Sequence, residues 1–158
     1  AARSTPEAPR PVALAALVDD VVALIGVQLP AGARVENRID PALTCRLPAD
    51  RIRQALLNLL LNAGAALGDA GGTVTIAAAG EDAQRVRLSV RDDGPGFPAE
   101  VLANGIRPFF STREEGTGLG LALVRRFARE MGGELTLANR QPRGAEVTLT
   151  LPRQAEAA

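Results

Sequence analysis

Gln54-Ala-Leu-Leu-Asn58-Leu-Leu-Leu-Asn62-Ala63 is the stretch on which the fold turns. It lies inside a run from Asp50 to Leu67 whose apolar residues recur at helical spacing, with Asp50 as a candidate cap and Gly68 followed by Gly71-Gly72 as the stop. At 100° per residue, Ile52, Leu56, Leu59, Leu60, Ala63 and Leu67 form a core-facing stripe. Gln54, Asn58 and Asn62 fall on the opposite stripe, one turn apart. An ordinary solvated face is the plain reading of such a stripe. Two features oppose it: no charged residue occurs between Arg53 and Asp69, and Leu57 and Leu61 flank the amides. Neutral amide oxygens in a sheltered groove suit Mg²⁺, a hard cation that completes its shell with phosphate and water.

Outward from this helix, the apolar spacing of Val12 to Leu29 predicts a helix ended by Pro30, and Arg34 to Asp40 a short strand. Alternation predicts strands over Thr73 to Ala79 and Arg85 to Arg91. The pattern then stops from Asp93 to Thr117, a Gly/Pro-rich stretch long enough to be functional or disordered. A helix from Leu119 to Met131 and strands over Glu134 to Ala138 and Ala145 to Leu151 follow, the strands joined by a polar Arg-Gln-Pro-Arg-Gly turn. Residues 1–11 read as a linker remnant, 12–152 as one domain and 153–158 as a disordered tail. Helices interleaved with mostly antiparallel strands predict an α/β fold, a two-layer sandwich with helices on one sheet face.

Composition removes several chemistries. All 18 basic residues are arginine, and histidine, tyrosine and tryptophan are absent. Without lysine there is no P-loop and no Schiff base; without histidine there is no Ser-His-Asp triad. Cys45 lies between Leu43 and Leu47 and reads as a small buried apolar residue. A net charge of zero offers no electrostatic case for nucleic acid or a membrane surface. Val12 to Leu29 is broken by Asp19 and Asp20, so no membrane span is predicted and a cytoplasmic location is expected. The chain opens Ala-Ala-Arg-Ser-Thr-Pro with its one methionine at Met131, which leads us to expect a piece of a longer protein.

Two further motifs carry chemistry. Asp92-Asp93-Gly94-Pro95-Gly96 ends a strand. It reads as a tight turn, or as a base-binding loop: a carboxylate only accepts hydrogen bonds and so matches an exocyclic amine, while Gly94 and Gly96 permit close backbone approach to a flat ring. Gly116-Thr117-Gly118-Leu119-Gly120-Leu121 precedes a helix and reads as a flexible lead-in, or as a phosphate site made of free N–H groups at a helix N-terminus. Its alternating glycines differ from the dinucleotide G-x-G-x-x-G pattern. Between the two lies Pro108-Phe109-Phe110-Ser111-Thr112-Arg113, whose adjacent aromatics either pin a loop or belong to a nucleotide lid with Arg113 reaching the phosphates.

In series, these segments resemble the catalytic domain of sensor histidine kinases, within the wider family of gyrase, MutL and heat-shock-90 ATPases. Gln54 to Ala63 resembles its asparagine box, and Asp92-x-Gly94-x-Gly96 its first glycine box. Pro108 to Thr112 resembles its phenylalanine box, and Gly116 to Leu121 its second glycine box. Order and spacing agree over about residues 12–152. The resemblance implies a Bergerat-type sandwich: a mixed five-stranded sheet, three helices on one face and a flexible ATP lid. It implies ATP and Mg²⁺ as cofactors. Asn62 is the metal ligand, Asn58 and Arg113 the catalytic and phosphate-facing groups, and Asp92, Gly94 and Gly96 the adenine end. Thr112, Gly116, Thr117, Gly118, Leu119 and Gly120 complete the phosphate end.

The hydrolytic relatives place a glutamate four residues before the metal asparagine, where this chain has Asn58, so transfer to a protein acceptor is favoured over hydrolysis. The implied acceptor is a histidine on a separate helical dimerisation segment, with a response regulator downstream. The parent is then a homodimer attached to the inner membrane in some members, and this piece a monomer. A hydrolytic ATPase clamp, a non-catalytic nucleotide module and a serine kinase of the anti-sigma type are the alternatives.

Overall fold

In the computed structural model, residues 7–104 and 119–153 are described, apart from the side chains of Asn104 and Leu119. The elements are β1 (Arg10–Ala13), α1 (Leu14–Ile25), β2 (Ala33–Asn37), β3 (Thr44–Leu47), α2 (Ala49–Leu67), β4 (Gly72–Asp82), β5 (Arg85–Asp92), α3 (Ala99–Asn104), α4 (Leu119–Glu130), β6 (Glu134–Asn139) and β7 (Ala145–Pro152). Five strands form one sheet in the order β2-β4-β5-β7-β6, while β1 and β3 pair separately as a short antiparallel ribbon. Only β2–β4 is parallel; the other three pairings of the sheet are antiparallel. The sheet is mixed, as expected.

Strand parity decides which face the helices cover. Along β5, Val86, Leu88 and Val90 point inward and are buried, while Arg85, Arg87 and Arg91 point to solvent. Register carries this face across the sheet: Ile76 pairs with Val90, Val90 with Val147, and Leu88 with Leu149. The helices follow the strands in order, α1 against β2, α2 against β4 and β5, and α4 against β6 and β7. Every member of the expected α2 stripe, from Ile52 to Leu67, is buried in this layer. Leu14, Leu17, Val18, Val21 and Ile25 seal its α1 flank.

Several boundaries differ from the sequence reading. The helix expected over Val12 to Leu29 is α1 only from Leu14 to Ile25, with a 3₁₀ turn over Gly26–Gln28. Val12 and Ala13 instead pair with Cys45 and Thr44 across the ribbon. Arg10 and Pro11, grouped above with the linker, already belong to β1. Strand β2 ends at Asn37 rather than Asp40, because Asn37 Oδ1 accepts the Ile39 N–H (3.1 Å) and turns the chain so that Ile39 enters the core. The patternless stretch after Asp92 contains α3, with Phe97 and Val101 buried. Arg153, grouped with the tail, is held by hydrogen bonds to the carbonyls of Gln84 and Asp82.

Asp50 does not cap α2. The helix begins at Ala49 after Pro48, with no side-chain cap of its own. Its open N–H groups are met from far along the chain: the Glu7 carboxylate accepts from Asp50 N (2.9 Å) and Arg51 N (3.1 Å). An acidic side chain there also complements the positive end of the helix dipole.

Candidate nucleotide site

Helix α2 is the axis of the site. Asn58 and Asn62 are half-buried and Gln54 is exposed, so the amide stripe is sheltered at its C-terminal part only. Gln54 Nε2 donates to Asn58 Oδ1 over 3.4 Å. The flanking Leu57 and Leu61 are partly buried against the core, as a covered stripe requires.

Asp92 reaches the site by strand parity. It continues the inward phase of Val86, Leu88 and Val90, and so is a buried carboxylate at the end of an apolar row. Its Oδ1 accepts the Gly94 N–H (2.8 Å) and, at 3.4 Å, the Ala145 N–H. Asp93 has the opposite phase and a different task. Its Oδ2 accepts the Thr73 N–H (2.8 Å) and ties the loop to the start of β4. Gly94 lies on the C-terminal part of α2, where a β-carbon would stand 2.8 Å from the carbonyl oxygen of Ala66. Gly96 has φ +86°, and a β-carbon there would meet Asn139 Oδ1. Both positions require glycine.

At the other end, α4 begins at Leu119, and a β-carbon on Gly120 would lie 3.9 Å from Cβ of Asn58. Two motifs therefore touch one helix, Gly120 at Asn58 and Gly94 at Ala66, with Asn62 between them. Eight residues of helix separate those contacts by about 12 Å. Thr112, Arg113, Gly116, Thr117 and Gly118 lie outside the described residues, as does the phenylalanine segment.

A hollow of about 280 Å³ runs along the N-terminal half of α2, with Arg51, Gln54 and Asn58 on one wall and Leu123 and Phe127 of α4 on the other. It shares Asn58 with the site but not Asn62 or Asp92. It is therefore not the cavity expected to join Asn58, Asn62 and Asp92. Its far end is closed by Arg51, which donates to Glu130 Oε1 (2.7 Å) and stacks 4.8 Å above the Phe127 ring. That hydrogen bond, with the positive charge of Arg51 and Arg126 nearby, holds the Glu130 carboxyl below the usual carboxylate range.

Among the described residues no group of three or more His, Cys, Asp or Glu could hold a metal on protein ligands alone. Asn62 offers a neutral, hard oxygen, which fits a cation whose remaining ligands are phosphate and water.

A profile of the histidine kinase-, DNA gyrase B- and HSP90-like ATPases matches residues 48–155, which covers α2, the Asp92 loop and α4. The chain belongs to this ATPase family. Sensor histidine kinase ZraS of Escherichia coli O157:H7 is 44% identical to it over 103 residues, 65% of this chain and 22% of that protein. The chain thus spans about a fifth of the length of that curated relative. Full-length ShkA, solved in complex with AMPPNP, superposes with a TM-score of 0.84 at 32% identity, over 99% of this chain and 34% of that one. Histidine kinase ThkA, solved in complex with the response regulator protein TrrA, superposes with a TM-score of 0.76 at 25% identity, over 95% of this chain and 43% of that one.

Three residues of this ATPase-family domain escaped the sequence reading. Asn139, Arg140 and Arg143 lie in or beside what read only as a polar turn, yet all three reach the Asp92 loop. Two arginines flanking a Gln-Pro pair, with a glycine directly after, were the available signal.

Proposed function

We propose that this chain is the ATP-binding catalytic domain of a sensor histidine kinase. In this reading it transfers the terminal phosphoryl group of ATP to a histidine on a separate helical segment. The observation that carries the proposal is the placement of Gly120 at Asn58 and of Gly94 at Ala66, which lines up a phosphate end and a base end along one face of α2. The chain contains no histidine, so the acceptor has to be supplied by another segment.

Phosphoryl transfer depends on positioning and charge neutralisation more than on covalent participation of the enzyme. Asp92 accepts a hydrogen bond from the exocyclic amine of adenine, and Gly94 and Gly96 let the backbone approach the ring. Asn58 faces the phosphates, and the amides of the glycine motif from Gly116 to Gly120, which leads into α4 in sequence, take their charge together with Thr112 and Arg113. Asn62 would hold Mg²⁺ against the phosphate oxygens, where the ion supplies neutralisation of their charge. The position four residues before Asn62 is Asn58, which cannot act as a carboxylate base for water. That favours a protein acceptor over hydrolysis.

No helix among the described residues is long and apolar enough to cross a membrane. On this reading the domain works in the cytoplasm, where its nucleotide is, joined to a dimerisation segment that bears the acceptor. A response regulator follows as the next recipient; the crystallised pairing of ThkA with TrrA supports a partner of that class.

The test is to mix the chain with histidine-bearing helical domains and ATP labelled at the terminal phosphate. Acid-labile label on the partner is the expected result. Rapid phosphate release without an acceptor, and no label on any partner, would replace the kinase reading with a hydrolytic one.

A further inference from the structure

The antiparallel ladders around β5 stop abruptly. Its last pairings are Asp92 with Val74 and Arg91 with Glu146, so the chain from Asp93 to Phe97 has no strand neighbour. Side chains from the β6–β7 turn take over. The carboxamide of Asn139 spans one residue in both directions: Oδ1 accepts the Phe97 N–H (2.7 Å) and Nδ2 donates to the Phe97 carbonyl (2.9 Å). Arg143 Nε donates to the carbonyls of Asp93 (2.9 Å) and Gly94 (3.3 Å). Arg140 Nη1 donates to the Asp92 carbonyl (3.3 Å) and lies 3.6 Å from the Asp93 carboxylate. The turn closes on itself through Arg140 N–H to the Gly144 carbonyl (2.8 Å). Gly144, at φ +109°, leaves no space for a β-carbon against the Asp92 carbonyl.

We propose that Asn139, Arg140 and Arg143 are positioning residues that set base selectivity, by fixing the loop from which the Asp92 carboxylate faces the purine. The proposal rests on the adenine reading of Asp92 given above. The clamp grips backbone at four positions on the base end, and among the described residues it makes no hydrogen bond to Asn58 or Gly120, whose contact lies about 12 Å along α2 from that of Gly94. Loosening it therefore acts on the contact that distinguishes purines, and leaves the contacts common to all nucleoside triphosphates. A hydrogen bond to a buried charged group depends steeply on geometry, so a small shift of the loop costs much of the discrimination.

The experiment measures Kd of ATP and of inosine triphosphate, which carries a carbonyl where adenine has its amine, for the chain and for the Arg143→Ala, Arg143→Lys and Asn139→Ala variants. The parent chain is expected to prefer ATP by about 10- to 100-fold. In Arg143→Ala and Asn139→Ala the Kd for ATP rises about tenfold, while that for inosine triphosphate stays within about twofold, so the ratio collapses. Arg143→Lys, which keeps a cationic donor but loses the planar guanidinium, falls between. A general loss of structure would weaken both nucleotides together. Arg143 and Asn139 are both exposed, so neither truncation opens the core. A folded Arg143→Ala with an unchanged ratio overturns the clamp while leaving the adenine reading intact. A parent chain that binds both nucleotides equally overturns the adenine reading, and the clamp with it.

Discussion

Asn58 on α2 and Gly120 in the first turn of α4 face each other so closely that a β-carbon on Gly120 would sit 3.9 Å from Cβ of Asn58. That distance is ordinary contact, so an alanine fits. Alanine also favours a helix over glycine by up to about 1 kcal/mol. Gly120→Ala should therefore leave Tm unchanged or raise it, while weakening ATP binding by narrowing the phosphate end. Thermal melts and nucleotide titration of one preparation test both halves. A variant that binds as well as its parent would remove Gly120 from the phosphate end.

Asn62→Ala should separate metal from nucleotide. The side chain is half-buried on α2, and alanine is the better helix former, so the fold should tolerate the change. The variant's ATP affinity should no longer respond to Mg²⁺, a loss on the order of tenfold or more under magnesium-replete conditions. Titrations with Mg²⁺ and with a chelator give the comparison. Undiminished magnesium dependence would remove Asn62 from the metal site.

Asp92→Asn keeps the shape of a buried side chain whose Oδ1 accepts from Gly94 N. It replaces an acceptor by a donor where the adenine amine is expected. Affinity for ATP should fall by about 10- to 100-fold, the worth of a charge-assisted hydrogen bond. Isothermal titration against ATP and inosine triphosphate measures it. Equal weakening for both nucleotides would count against a base contact.

Gly144→Ala combines two faults, a β-carbon in the left-handed region and a clash with the Asp92 carbonyl. Neither can relax through a flexible side chain. Destabilisation of more than about 2 kcal/mol is expected, visible in urea unfolding. The comparison is Gly64, where the nearest obstacle is the tip of the Leu29 side chain, which can move.

The Arg51–Glu130 pair gives a pH signature. The folded carboxyl titrates below its unfolded value, so its contribution is present above the ordinary carboxylate range and fades as pH falls through the folded value. Glu130→Gln should melt slightly lower than the parent near neutral pH and alike in acid, with a small gap because both side chains are about half exposed. A gap that persists in acid would assign the effect to packing on Phe127.

Long periodic elements were legible in the sequence. The six-residue core stripe of α2 and the alternation of β5 depend on local spacing, which survives any tertiary context. Even the burial of Asp92 follows from counting by twos from Val86. The ribbon β1–β3 was not legible, since four residues carry too little pattern and each strand forms only against the other. The capping of α2 by Glu7 was hidden for a related reason: the acceptor lies 43 residues from the amide it meets. At the site, residue types and spacing named Asn58, Asn62, Asp92 and Gly94. The partners that hold the loop come from a turn whose composition says only that it is polar.

Strand β5 has β4 on one side and β7 on the other, and β7 comes last among the described elements. A ribosome delivers β4 and β5 together as a hairpin, but the free edge of β5 stays open until Ala145–Pro152 has been made, after α3, α4 and β6. Synthesis therefore passes through an interval in which a sticky, half-built sheet has an unpaired edge, and this is the window in which a chaperone or a misplaced neighbour has its chance.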